Sequence, residues 1–157
     1  MADNPSGRIA GVDFGTVRIG IAIADATGTI ASPYENYTRR SEPLDRAYFV
    51  QLVEREQIAR FVVGLPIHLD GRESAKSLEA QRFGAWLAEA TGVAVEYFDE
   101  RFTTLEAERV LADAQLTKKK RKARLDKLAA QIMLTAYLES RRAGRTADDQ
   151  PRGLDDR

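Results

Sequence analysis

The segment GVDFGTVRIGIAIAD, residues 11–25, determines the fold we expect for this chain. Its first part belongs to a short apolar stretch, RIAGVDF (8–14), which predicts a buried strand that ends at Gly15. In its second part, RIGIAIA (18–24), every second residue is isoleucine, which is the two-residue period of a strand. Two such strands joined by a short glycine-containing connection predict an antiparallel hairpin.

Residues 29–38, TIASPYENYT, predict a third strand that extends this hairpin into an antiparallel meander. Pro33 favours an edge position or a bulge, because proline cannot donate a hydrogen bond to a neighbouring strand. The pattern then becomes helical, since Pro43 suits the first position of a helix and apolar residues follow at helical spacing. The predicted apolar face of this helix consists of Leu44, Ala47, Tyr48 and Leu52.

Two further strands alternate with helices in the next part of the chain. The strands are predicted over RFVVG (60–64) and VAVEYF (93–98), and a helix between them over 73–91. Gly92 follows this helix and is its predicted C-cap. The predicted apolar face of the helix consists of Ala75, Leu78, Phe83, Trp86, Leu87 and Ala90.

Helical patterns complete the ordered part of the chain. Thr103 and Glu106 form a capping box that opens one helix, and residues 127–140 predict a last helix. The order is therefore βββαβαβα, with the final helical part divided in two. Strands joined through helices pair in parallel, whereas the opening meander is antiparallel. The sequence predicts an α/β fold with a mixed five-stranded sheet and flanking helices.

The composition fits one folded domain with charged ends. The chain has 157 residues, of which 43% are hydrophobic and 31% charged, enough for a sizeable core and a solvated surface. We expect a flexible N-terminus over 1–7, a single folded domain over 8–140, and a mobile charged tail over 141–157, whose composition cannot bury enough apolar surface to become ordered.

Charge and cysteine content exclude several classes of protein. Twenty-four basic residues balance 24 acidic ones, so the chain is not a globally basic binder of nucleic acids. There is no cysteine, which excludes disulfides, thiol nucleophiles and iron–sulfur sites. The first residues lack the apolar segment of a secretory signal, and no apolar run approaches the roughly 20 residues that span a bilayer. We expect a soluble, cytoplasmic protein without a membrane partner.

Acidic residues occur at three places where chemistry is plausible. Asp13 leaves the first strand beside a glycine, Asp99 and Glu100 end the strand 93–98, and Asp126 borders the apolar stripe of the last helix. Each also has a structural explanation: a turn-forming aspartate, or acids near the positive end of a helix dipole. Ligands in α/β sheets gather beyond the carboxyl ends of parallel strands, which favours a site at Asp99 and Glu100.

A basic segment, KKKRKAR (118–124), precedes Asp126. Its dense like charges are typical of a solvated loop, and close to an acid they also favour binding to a phosphate backbone. The candidate nucleic-acid-binding residues here are Lys118, Lys119, Lys120, Arg121, Lys122 and Arg124.

Taken together, separated acids on one mixed sheet and a basic segment suit two-metal hydrolysis of phosphodiesters. Carboxylates are the ligands that Mg²⁺ and Mn²⁺ prefer. The chain contains one histidine, His68, which excludes a histidine-rich zinc site and which we interpret as an ordinary surface residue.

Four segments resemble the YqgF/RuvX family of RuvC-like, RNase H-fold proteins, described as Holliday junction resolvases or pre-16S rRNA nucleases. They occur in order across about residues 8–140, and as a set they are highly specific. The segments are GVDFGTVRIGIAIAD (11–25), VVGLPIHLDG (62–71), DERFTT (99–104) and LDKLAAQIMLTAYL (125–138).

The resemblance implies an RNase H-like mixed five-stranded sheet with helices on both faces, and it assigns roles to individual acids. Asp13, Glu100 and Asp126 match the family's catalytic, metal-binding acids, whereas the role of Asp99 is open. Arg18 matches the family's D-x-G-T-x-R motif and is a candidate contact to substrate phosphate. The turn at Gly64, Leu65 and Pro66 is expected beside the site.

The function that this resemblance implies is processing of the 5′ end of pre-16S rRNA in ribosome biogenesis, with Mg²⁺ or Mn²⁺ as cofactor. Its partners would be structured RNA and a ribosomal precursor particle, and the protein would be a monomer or homodimer. Cleavage of branched DNA is the nearest alternative. A non-catalytic nucleic-acid-binding or ribosome-binding factor is a second. A nucleotide-dependent phosphotransferase is disfavoured, because that superfold uses two such domains.

Overall fold

The computed structural model describes residues 7–66, 74–103 and 118–149, apart from the side chains of 102, 103, 118–127 and 144–149. Within these ranges the strands are β1 (Arg8–Asp13), β2 (Arg18–Ala24), β3 (Ala31–Thr38), β4 (Ile58–Leu65) and β5 (Ala94–Asp99). The helices are α1 (Glu42–Glu56), α2 (Ala75–Thr91) and α3 (Lys118–Asp149), and a 3₁₀ turn (Glu100–Thr103) follows β5.

The strands form one mixed sheet in the order β3-β2-β1-β4-β5. β1 pairs antiparallel with β2 and parallel with β4, so it is the strand at which the direction of pairing changes. β3 pairs antiparallel with β2, and β5 pairs parallel with β4. The predicted mixed five-stranded sheet is therefore confirmed.

β3 shows the effect expected of its proline. It is an edge strand, and its pairing with β2 shifts register where Ile21 faces Glu35 and Ala22 faces Pro33. Tyr34 is thus the extra residue of a bulge, as expected beside a proline that cannot donate a ladder hydrogen bond.

Helices cover both faces of the sheet, as predicted, because side chains of each strand alternate between the two faces. One cluster of buried residues lies between the sheet and the pair α1 and α2, and a second lies between the sheet and α3. The first cluster includes Val12, Ile19, Ile21, Phe49, Phe61, Val63, Phe83 and Leu87. The second includes Ala22, Ala24, Ala31, Val62, Ala130, Met133, Leu134, Tyr137 and Leu138.

The predicted apolar faces of α1 and α2 are wrong at two positions each. Leu44 is 51% exposed and Leu78 is 44% exposed, although both were expected to pack. Ala47 of α1 and Ala75 of α2 are exposed as well. In α1 the buried residue is instead Asp45, whose carboxylate accepts hydrogen bonds from the Tyr37 hydroxyl (2.6 Å) and the Arg40 backbone N–H (2.9 Å). A carboxylate satisfied in this way can replace a leucine at the sheet, which the hydropathy pattern cannot show.

The last helix is longer than predicted at both ends. It was expected over 127–140 and occupies Lys118–Asp149, so the basic segment 118–124, predicted as a solvated loop, is helical. Lysine and arginine are good helix formers, and continuity with the buried stripe that follows favours the helix. The helix predicted from the Thr103–Glu106 capping box lies outside the described residues; Thr103 itself ends the 3₁₀ turn.

Within the described ranges, no helix combines the length and the apolar composition that crossing a membrane requires.

Candidate active site

Two of the predicted acids meet at one edge of the sheet. Asp13 is the last residue of β1, and Glu100 directly follows the last residue of β5. Both strands run parallel to β4, which lies between them, so their carboxyl ends point to the same edge. There the Glu100 carboxyl forms a hydrogen bond with the Asp13 side chain.

Glycine on β4 makes room for this contact. A Cβ at Gly64 would lie 2.5 Å from Oε1 of Glu100, a distance that real Cβ atoms do not adopt. The Glu100 side chain therefore lies over the backbone of β4, against the face of the sheet that α3 also covers. This is the turn that the family resemblance places beside the site, and the reason for its glycine is direct contact with an acid.

The two carboxylates repel each other when both are ionised, and a bound cation would reduce this repulsion. Burial, followed by the negative charge of Asp13, raises the pKa of Glu100 to about 8. At neutral pH the pair therefore retains a proton, which makes the hydrogen bond between two carboxyl groups possible. A divalent cation can take the place of that proton, and carboxylate oxygens are suitable ligands for Mg²⁺ or Mn²⁺. The donor set fits the expected metal.

Asp99 has a separate, structural partner. Its carboxylate accepts hydrogen bonds from the backbone N–H of Arg101 (2.9 Å) and from Nε of Arg101 (2.7 Å). The Arg101 guanidinium holds the pKa of Asp99 below its ordinary value. This pairing fixes the start of the 3₁₀ turn and directs Asp99 to Arg101, leaving Glu100 as the member of the adjacent pair that contacts Asp13.

The third predicted acid is on α3, and its side chain lies outside the described part of the chain. Its place on the helix backbone is nevertheless informative. Asp126 stands one helical turn before Ala130, and Ala130 packs over Gly20, the residue paired with Asp13 across β1 and β2. A Cβ at Gly20 would lie 3.6 Å from the Cβ of Ala130 and 3.7 Å from that of Asp13. Among the described side chains, no set of three acids or histidines forms a metal site.

An open depression of about 330 Å³ lies beside Asp13. Arg18, predicted as a phosphate contact, lines it together with Thr16, and is exposed. Sequence reasoning missed Asn36, which also lines it. The signal was in the strand register: Asn36 of β3 pairs with Gly20 of β2, which pairs with Asp13. The side chains of the basic residues 118–124, and all of His68, lie outside the described residues.

Comparison with known proteins identifies the family of this chain. The family model described as "RuvX: Holliday junction resolvase" matches residues 7–140. The chain belongs to the RuvX family. A relative from Rhodopirellula baltica, named "Putative pre-16S rRNA nuclease", is 49% identical over 135 residues, which cover 86% of this chain and 78% of that protein. A protein of the same name from Koribacter versatilis is 40% identical over 86% of this chain and 88% of its own.

Solved structures show the same fold. RuvC of T. thermophilus in complex with a Holliday junction substrate superposes with a TM-score of 0.56 at 16% identity, covering 88% of this chain and 96% of that chain. The predicted RNase H-like, RuvC-like architecture is confirmed by this neighbour.

Proposed function

We propose that this protein is a metal-dependent nuclease that hydrolyses phosphodiester bonds in processing the 5′ end of pre-16S rRNA. The observation that carries the proposal is the contact between Asp13 and Glu100 at the carboxyl edge of three parallel strands. Two acids that share a proton, beside an open depression with an exposed arginine, are suited to hold cations against a phosphate. The names carried by its relatives support the choice of substrate.

In this function Asp13, Glu100 and Asp126 would hold Mg²⁺ or Mn²⁺. Such ions, when bound, supply an activated water and neutralise charge on the phosphate. Arg18 orients the phosphate from the depression beside Asp13, and the basic segment 118–124 attracts the RNA backbone. A ribosomal precursor particle is the proposed partner, which implies a cytoplasmic location.

Branched DNA is the second candidate substrate, favoured by the description of the family model that matches the chain. The same acids would perform the same hydrolysis on either backbone. A four-way junction has two-fold symmetry, so this function calls for a homodimer with two sites.

The test is cleavage of a labelled 16S rRNA precursor and a four-way DNA junction, each with Mg²⁺, Mn²⁺ or chelator. The proteins are the wild type, Asp13→Asn, Glu100→Gln and, as a control, Glu54→Gln, which changes an exposed glutamate of α1. Metal-dependent RNA cleavage should fall about 10³-fold or more in Asp13→Asn and Glu100→Gln. It should be unchanged in Glu54→Gln.

Each other result has a defined meaning. Cleavage of the junction alone would move the assignment to branched DNA. The molecular mass of the active species would then have to be that of a dimer. Unimpaired cleavage by folded Asp13→Asn would refute the site. Binding of RNA without turnover under every metal condition would favour a non-catalytic binding factor.

A further inference from the structure

The depression beside Asp13 is lined by residues of three neighbouring strands. Asp13 of β1 pairs with Gly20 of β2, and Gly20 pairs with Asn36 of β3. Residues that pair across strands project from the same face of a sheet, so Asn36 is on the face that carries Asp13. Two such spacings place the Cα atoms of Asp13 and Asn36 about 10 Å apart. Asn36 is therefore close enough to contact a substrate whose phosphate is held at the acids.

The position between these two residues has no side chain. Gly20 also lines the depression, and a Cβ built there would lie 3.7 Å from the Cβ of Asp13. A larger residue at position 20 would occupy the space between Asp13 and Asn36. With glycine there, the row of paired residues has an acid at one end and an amide at the other, and both line the same depression.

The amide of Asn36 has no structural partner in the described part of the chain. It is exposed on the edge strand, and none of the described residues forms a hydrogen bond with its side chain. Its neighbours in β3 do have partners, on the α1 side of the sheet. Glu35 accepts a hydrogen bond from the Tyr48 hydroxyl (2.7 Å), and Tyr37 donates one to Asp45 (2.6 Å). The Asn36 amide is therefore available to a ligand.

The chemistry of the amide indicates which group of a nucleotide it would bind. Arg18 lines the same depression, is exposed, and has no ion-pair partner within the described ranges, so it provides the charge for a phosphate. Asn36 is uncharged, and its side chain both donates and accepts hydrogen bonds. A phosphodiester oxygen only accepts, whereas a sugar hydroxyl does both. The 2′-hydroxyl, which RNA has and DNA lacks, matches the amide in this respect.

We propose that Asn36 binds the ribose 2′-hydroxyl of a nucleotide next to the bond that is cut, and thereby selects an RNA strand over a DNA strand. The inference rests on the proposed function, which places the phosphate at the acids. It deepens that function by naming the feature of RNA that the site recognises. A base edge also has donors and acceptors, but it has them in RNA and DNA alike, so an experiment can separate the two.

The test measures the binding of single strands in chelator, where no metal-dependent cleavage occurs. A fluorescently labelled oligoribonucleotide is compared with an oligodeoxyribonucleotide of the same base sequence, with deoxyuridine in place of thymidine so that only the 2′ position differs. The proteins are the full-length wild type, Asn36→Ala and Asn36→Val. Valine favours strands, so the second variant preserves the edge strand. The matched control is Gln51→Ala, which removes an exposed amide of α1 outside the depression.

We expect the wild type to bind the RNA strand more tightly than the DNA strand. Both Asn36 variants should bind the RNA strand about three- to tenfold more weakly, which is the effect of one lost hydrogen bond, and should bind the DNA strand as the wild type does. Gln51→Ala should match the wild type on both strands. The preference for RNA should persist at higher salt concentration, because the contact involves no charged group of the protein.

Three results would overturn the proposal. Equal weakening of RNA and DNA binding in the Asn36 variants would assign the amide to a base or to the phosphate. Unchanged RNA binding in both variants would remove Asn36 from the interface. A wild type that binds the two strands equally, or does not bind RNA, would show that the protein does not recognise the 2′-hydroxyl. The titration requires no turnover, so a failed cleavage assay and a failed RNA preference are separate outcomes.

Discussion

The two faces of the sheet are packed by different kinds of side chain. Against α1 and α2 the core is aromatic, and Phe49 lies at its centre in edge-on contact with the rings of Tyr37, Tyr48, Phe61, Phe83 and Trp86. Against α3 the sheet has small residues, Gly11, Gly20, Ala22 and Ala24. The helix residue that packs among them is Ala130, which is also small. The first face is packed around large rings. On the second, the small residues of the sheet let the helix come close, and Met133, Leu134, Tyr137 and Leu138 of α3 fill the remaining space.

This difference separates stability from the geometry of the site. Phe49, Phe61 and Leu87 on the first face are fully buried, and the burial of such large apolar side chains stabilises the fold. Small residues contribute less area, but they set the height of α3 above the sheet. Because Asp13, Glu100 and the position of Asp126 are all on the α3 side, the glycines and alanines there determine how the acids meet.

The largest effect on stability should come from the aromatic face. Phe49→Ala should lower the free energy of unfolding by about 3–5 kcal/mol, because it removes a fully buried ring and leaves a cavity among the others. Leu44→Ala on the same helix, at a side chain that is 51% exposed, should cost no more than about 0.5 kcal/mol. Denaturant unfolding measures both, and equal losses would contradict the assigned helix face.

The α3 face should be sensitive to a single methyl group. At Gly11 an added Cβ would lie 2.8 Å from the Cβ of Leu134, so Gly11→Ala should cost about 1–3 kcal/mol by forcing α3 away from the sheet. Gly20→Ala adds its Cβ at ordinary contact distances of 3.6 and 3.7 Å and should cost much less. Thermal unfolding of the two variants compares them directly. If they were equally destabilised, close approach of the helix would not be the reason for the glycine at position 11.

The last effect concerns the acids themselves. The pKa of Glu100 is raised to about 8 in the folded protein, above the ordinary value of 4.5. The folded state therefore keeps a proton that the unfolded chain has lost, and stability should fall as the pH rises from about 5 to 8. Glu100→Gln should remove this slope.

Divalent cations sharpen the same measurement. Mg²⁺ or Mn²⁺ should raise the melting temperature of the wild type at pH 8 more than at pH 5, because the cation competes with the shared proton. Glu54→Gln should behave as the wild type does. A wild-type melting temperature that is independent of both pH and cation would contradict the coupling of Asp13 and Glu100.

Short residue patterns along the strands and at the helix ends predicted much of the fold. The alternating isoleucines of RIGIAIA (18–24) predict β2 with its observed bounds, and Gly92 predicts the end of α2, where its backbone is left-handed. Pro33 predicts an edge position or a bulge, and both occur. These features are local, since side-chain period, the missing N–H of proline and the freedom of glycine act over a few residues. The helix faces were predicted less accurately. Hydropathy predicts that Leu44 is buried against the sheet, whereas the buried residue there is Asp45, whose carboxylate is hydrogen-bonded.

The sequence by itself determined the fold class, the family resemblance and the acids worth considering, because each is written in short patterns of residue type. Asp126 remains a prediction on those grounds. Only the tertiary structure decided that Glu100 rather than Asp99 contacts Asp13, and that Asn36 lines one depression with Asp13 and Arg18. Those contacts join residues far apart in the chain, and their geometry depends on the order of strands and on how closely helices pack, which no local pattern encodes.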